Sequence, residues 1–165
     1  MRKNTVSCCA PYRIVRYLVI LLGTMGLDQL TKVLIRQSFQ PGESWTLIEG
    51  LLNLTYVQNR GAAFGVLSGQ YHFLVLFPLI LSVGILIVAL LMRLPGASGI
   101  TMVFIAAGGI SNALDRIFLG YVTDMIAVSF FPPVFNVADI SVTVGCACLA
   151  LCILFGGDGE TEKGR

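Results

Sequence analysis

Read for hydrophobic and polar positions, the chain divides into four apolar runs separated by two mixed stretches. Crossing about 30 Å of hydrocarbon takes about 20 helical residues, and runs at about 14–35, 73–92, 100–114 and 134–155 approach that length. The run at 73–92 carries no charged residue. The run at 14–35 holds Asp28 and Lys32 in its second half, and the short run at 100–114 stops at Asp115 and Arg116. The last run opens on Asn136 and Asp139, where a membrane helix is least expected to hold a carboxylate.

The first mixed stretch, 37–71, contains ESWTLIEGLLNLTYVQN, whose partial alternation and β-branched or aromatic content predict two or three short strands. Trp45 and Tyr56 suit a membrane interface. RGAAFGVLSG follows, with small residues that favour a close-approach turn. The second stretch is 116–133. The expected fold class is a membrane α-helical protein: four transmembrane helices with a small extracytoplasmic β-cradle lying on the membrane. The whole chain, 1–165, reads as a single integral membrane domain with no internal repeat, low-complexity segment or soluble second domain.

Composition sharpens this picture. Hydrophobic residues make up 56% of the chain and charged residues 12%, against about 25% charged in soluble chains, and the mean hydropathy is +0.84. The net charge of +2 argues against a nucleic-acid partner. Arg2, Lys3, Arg13 and Arg16 precede or open the first run, Arg93 separates the second from the third, and Lys163 and Arg165 lie in the tail. The positive-inside rule then puts both termini in the cytoplasm and both mixed stretches outside. The first run has no small-residue cleavage site, so a cleaved signal peptide is not expected. Cys146, Cys148 and Cys152 fall in the last apolar run as small hydrophobes, whereas Cys8 and Cys9 precede the first helix, a position open to acylation.

Four of the nine acidic residues, Asp28, Asp115, Asp124 and Asp139, lie in or beside the apolar runs. Asp28 and Lys32 are four apart and share a helix face, which predicts an ion pair. Asp115, with Arg116 beside it and Asn112 one turn earlier, reads as a terminal polar network. Arg116 suits either a scaffold or a site for a negatively charged lipid group. Asp124 has no basic residue within seven positions, and the last run has none beside Asp139. Two carboxylates without local counter-ions at a low-dielectric edge suit an acid/base pair sharing one proton; polar caps or a cation path are the alternatives. No C-x-x-C pair, Cys–His zinc spacing or Walker lysine is present, and His72 reads as interfacial.

Five motifs occur in order: DQLTK (28–32), NRGAAFG (59–65), GGISNALDR (108–116), GYVTDMI (120–126) and FNVADIS (135–141). Together they resemble the lipoprotein signal peptidases, also called signal peptidase II, over about 27–145. The resemblance implies an aspartic endopeptidase of the bacterial inner membrane that removes signal peptides from prolipoproteins before the lipid-modified cysteine. It implies a catalytic pair of Asp124 and Asp139 at the outer leaflet, and Asn112 and Asn136 as polar support. Asp115 and Arg116 would end the same motif, with Arg116 meeting substrate backbone or lipid. Asn59 would belong to the outer cradle, and Asp28 and Lys32 to a positioning element. Lipidated prolipoproteins and membrane lipids are the expected partners of a monomer that uses no metal and no cofactor. Asn136 would cap the last helix or orient a carboxylate, and Ala138 would keep the surface low for a substrate.

Two positions depart from the family pattern. Ser111 stands where glycine is usual, and Met125 where phenylalanine is usual, so both bear on pocket shape. The short interval from Asp124 to Asp139 predicts a compact connection. The rival reading is a small transporter or scaffold whose aspartates bind a cation. Against it stand the lack of the inverted repeats common in such proteins and the gathering of the aspartates at one edge.

Overall fold

The computed structural model describes residues 9–61, 70–92 and 96–155. Arg2, Lys3, Cys8, Arg93, Lys163, Arg165 and positions 62–65 of the NRGAAFG motif lie outside the described residues, as does the side chain of Cys9. The elements run α1 (Cys9–Ser38), β1 (Ser44–Ile48), β2 (Leu52–Asn59), α2 (Tyr71–Leu91), α3 (Gly96–Leu119), β3 (Val122–Val128), β4 (Phe131–Phe135) and α4 (Val137–Phe155). All four helices are long and apolar enough to cross a membrane. Leu18, Val19, Leu22, Ile80, Leu151 and Ile153 point outward along them, as a lipid-facing surface requires.

Helix α3 is the central column. Half of its most apolar 18-residue window is buried, against 17–22% for the other helices. It packs on α1, α2 and α4, and a glycine lets each neighbour approach. A Cβ at Gly99 would strike the Tyr17 ring of α1, one at Gly109 would strike Ser82 of α2, and one at Gly108 would lie 2.7 Å from Val142 Cγ2 of α4. Without a hydrophobic drive between helices in lipid, such close backbone approach and the dispersion it allows hold the bundle together.

The four strands form one antiparallel sheet in the order β1-β2-β3-β4. The stretch 37–71 supplies two strands; β3 comes from 116–133, which sequence pattern left without strands, and β4 runs from the end of that stretch to Phe135 in the last apolar run. Val122–Val128 is buried or half-buried on both faces because one packs on helices and the other lines a cavity, so it lacks the usual alternation. Pro132 and Pro133 lie in β4, tolerated because that strand is at the sheet's edge. Tyr56, read as interfacial, is buried against Ile35 and Met125 under the sheet, whereas Trp45 is exposed.

The helix ends also depart from the apolar runs. Helix α3 continues through Asp115 and Arg116 to Leu119 and stops at Gly120, whose N–H donates to Arg116 O (3.0 Å) and whose φ is 77°. That left-handed turn, which glycine adopts without a Cβ clash, sends the chain directly into β3. The last helix starts at Val137 rather than 134 because Phe131–Phe135 is extended and Asn136 caps the helix.

Candidate active site

Asp124 is carried on β3, opposite Val57 of β2. Strand alternation separates its neighbours. Val122, Asp124 and Val128 line a cavity of about 480 Å³. Thr123 and Met125 face the other way, Met125 packing with Ile35 and Tyr56. Met125 therefore leaves the cavity wall unchanged. Asn59, Asn112, Arg116 and Asp139 line the same cavity, and Phe131, Phe135 and Ile140 contribute to its apolar side.

Asp139 occupies the first turn of α4. Asn136 Oδ1 accepts from the Asp139 N–H (2.9 Å), and Asp139 Oδ2 accepts from the Asn136 N–H (3.2 Å). This reciprocal cap satisfies two donors a helix start would otherwise leave open. The carboxylate also lies at the positive end of the helix dipole. Asn136 is thus both cap and carboxylate partner, since its Nδ2 donates to Asp124 Oδ1 (2.7 Å). Asn59 Nδ2 donates to Asp124 Oδ2 (2.9 Å), and Asn112 Nδ2 donates to Asp139 Oδ1 (2.8 Å). Burial pushes the Asp124 carboxyl up to about 6, and the charge of Asp139 adds to the rise, while the hydrogen bonds from Asn59 and Asn136 oppose it.

Beneath this pair lies a fully buried ionic layer. Lys32 Nζ meets Asp28 Oδ2 at 2.7 Å, Asp115 Oδ2 at 3.2 Å and Asn112 Oδ1 at 2.8 Å. Asp28 Oδ1 accepts from the Ala138 N–H (2.7 Å) at the start of α4. Ser111 Oγ donates to Asp28 Oδ2 (2.7 Å), so this departure from the family pattern feeds the ionic layer and not the cavity. Ala138, expected at the substrate surface, is buried, and its carbonyl lies where a Cβ on Gly108 would go.

The expected polar network at Asp115 forms with Asn112, through the Lys32 they share, and not with Arg116. Adjacent residues on a helix diverge by about 100°. Asp115 turns to α1, accepting from Gln29 Nε2 (2.8 Å), and to β3, accepting from the Thr123 N–H (3.1 Å). Arg116 turns to the cavity and donates through Nη2 to Gly61 O (2.9 Å). The Gly61 N–H in turn donates to Asn59 Oδ1 (3.0 Å). Three contributors were missed from sequence: Gln29, Thr123, and Arg36, whose Nη1 donates to Thr123 Oγ1 (2.9 Å). Gln29 had a signal, an amide beside Asp28 in an apolar run. Thr123 and Arg36 had none, because their partners lie far off in the chain.

His72 is exposed at the start of α2, edge-on to Tyr71 and outside the cavity lining. Cys146, Cys148 and Cys152 are unpaired on α4. Among the described residues, no three His, Cys, Asp or Glu side chains form a metal-ligating group. Chemically, the cavity offers two carboxylates on separate elements, each held by amides, with the Arg116 guanidinium on the same lining.

A family model described as Signal peptidase (SPase) II matches residues 20–155. The lipoprotein signal peptidase of Caldanaerobacter subterraneus subsp. tengcongensis is 40% identical over 142 residues, 85% of this chain and 97% of that protein. The lipoprotein signal peptidase of Enterococcus faecalis is 37% identical over 153 residues, 90% and 94% of the two chains. A bacterial membrane enzyme solved by the in meso method at 2.3 Å resolution superposes with a TM-score of 0.82 at 28% identity, covering 92% of this chain and 95% of that one. A second such structure, at 1.9 Å, gives 0.78 at 29% identity, with 86% and 94% covered.

Proposed function

The chain belongs to the signal peptidase II family and removes signal peptides from prolipoproteins in the bacterial inner membrane, and on that premise we propose that Asp124 and Asp139 are its catalytic pair. The observation that carries this reading is that both carboxylates line one cavity and that, among the described residues, each accepts only neutral N–H groups. An ion pair on each would hold both ionised; amide donors leave room for one shared proton.

The ionised member takes a proton from a water, whose oxygen attacks the scissile carbonyl carbon. The protonated member donates to the carbonyl oxygen. As the tetrahedral intermediate collapses, the C–N bond breaks, the amine leaves with the proton taken from water, a hydroxyl of the gem-diol returns its proton to the pair, and one shared proton remains. Asn59, Asn112 and Asn136 hold the carboxylates, Arg116 holds the cradle edge through Gly61 and faces the incoming substrate backbone or lipid, and Asp28, Lys32 and Asp115 position the layer below. The reaction needs no metal or cofactor in this scheme. A cation path or scaffold is not favoured, since the family is one of peptidases.

We extend the reading to topology: a single domain over 1–165, both termini cytoplasmic, 37–71 external, the cavity at the outer leaflet in contact with membrane lipids. A working monomer is part of the same proposal. Asp124→Asn and Asp139→Asn, nearly isosteric, are expected to insert and melt like the parent yet lose cleavage of a lipidated prolipoprotein by about a thousandfold or more, the order that loss of an acid/base group brings. Substantial turnover by either purified variant rejects the pair.

A further inference from the structure

An amide side chain can point either way, and its direction decides whether a neighbouring carboxyl is favoured ionised or neutral. At Asn112 the direction is set by Lys32. The ammonium has three N–H donors and no acceptor, and its three partners are Asp28 Oδ2, Asp115 Oδ2 and Asn112 Oδ1. A reversed Asn112 would put its NH2 against the ammonium and leave a buried donor without an acceptor. The observed direction places Nδ2 on Asp139 Oδ1. A second lock agrees with the first. Asn136 Oδ1 receives the Asp139 backbone N–H, which cannot reverse, so Asn136 Nδ2 faces Asn112 Oδ1 (3.1 Å) as well as Asp124.

We propose that Lys32 is a positioning residue that acts on Asp139 through Asn112: its fixed donors orient the Asn112 amide so that an N–H always faces that carboxylate. The inference rests on the catalytic reading of Asp124 and Asp139. The charged groups around Lys32 are Asp28 on its own helix, Asp115 from α3, Asp124 from β3 and Asp139 from α4. Interposing an amide between ammonium and carboxylate conveys the polarity of the cation while sparing Asp139 the direct ion pair that would hold it ionised throughout the cycle.

The test is a double-mutant cycle between Lys32 and Asn112. Lys32→Met is made together with Asp28→Asn, which removes the carboxylate that would lose its closest cation, while Asp115 keeps its bonds from Gln29 and Thr123. With Asn112 present, Lys32→Met is expected to lower kcat at least about tenfold, the order for one hydrogen bond to a charged group, with KM little changed, and to move the acid limb of the kcat profile to higher pH. With Asn112→Ala already in place, the same substitution is expected to change kcat less than about twofold, because the relay is gone. If the Met variant does not fold, Lys32→Gln, which keeps a polar end, is compared in the same two backgrounds. Equal losses in both backgrounds overturn the relay while leaving the catalytic pair standing. Full activity of Asp139→Asn overturns the pair itself.

Discussion

At Asp124 two effects oppose each other: burial disfavours its charge, and two asparagine amides favour it. The carboxyl is neutral below about 6 and ionised above. Because the Asp139 charge contributes to that value, the proton taken up there is the pair's first, so kcat is expected to decline as pH rises through it. Asn59→Ala removes a donor that favours the ionised form, so the Asp124 carboxyl rises further and the alkaline limb moves to higher pH. Rates measured on either side of about 6 are expected to hold up further into the alkaline side in this variant, relative to its own maximum; a limb that stays in place or moves down contradicts the account. Sequence exposed these residues because a carboxylate in an apolar run stands out. It concealed their partners. Asp115 was read with Arg116 because they are adjacent, yet on a helix adjacency separates faces, and Asp115 bonds instead with Lys32 and Gln29, more than eighty positions away.

At the scale of elements, the helices were legible and their ends were not. Charges at Asp115 and Arg116 read as the end of a span, but both side chains turn into polar surroundings inside the protein, so the helix runs on to Leu119. Strands β3 and β4 were concealed for the converse reason: buried on both faces or holding prolines at an edge, they carry no alternation. What positions the pair is the contact of α3 with α4. A Cβ at Gly108 would meet Ser141 Oγ at 2.5 Å and Val142 Cγ2 at 2.7 Å, along with the Ala138 carbonyl next to Asp139. Gly108→Ala is therefore expected to push α4 away, cost about 1–3 kcal/mol of stability as overpacking does, and reduce cleavage more than stability alone would. Gly23→Ala is the comparison, because a Cβ there meets nothing within 4 Å. Thermal melts in detergent beside turnover separate the two; a Gly108→Ala protein as stable and active as Gly23→Ala rejects the packing argument.

Across the whole molecule, the polar groups sort to opposite ends. Arg13 donates to Leu90 O (2.9 Å) at the end of α2, and Arg16 lies near Gly96 at the start of α3. Asp28 and Lys32 in the second half of α1, Ser111 to Arg116 late in α3 and Asp139 at the start of α4 gather at the other end. On the topology proposed above, the first end is cytoplasmic and the cavity opens outward. The cavity joins that polar floor to an apolar wall of Phe130, Phe131, Pro133, Val134, Phe135 and Val144. A signal helix alone offers this wall nothing that other membrane helices lack, whereas a diacylated cysteine adds acyl chains and fixes a depth. Burying a methylene from water contributes about 0.8 kcal/mol, but acyl chains in a bilayer are already out of water, so affinity gains little. Depth is different: a lipid anchored in the outer leaflet holds the bond beside it level with Asp124 and Asp139, and correct placement lowers a barrier by several kcal/mol. Lipidated precursor is therefore expected to be cleaved at least about a hundredfold faster than the same precursor without lipid, with the difference in kcat and not in KM. Both substrates measured in one bilayer decide this, and equal kcat values would mean that the cavity reads the peptide alone.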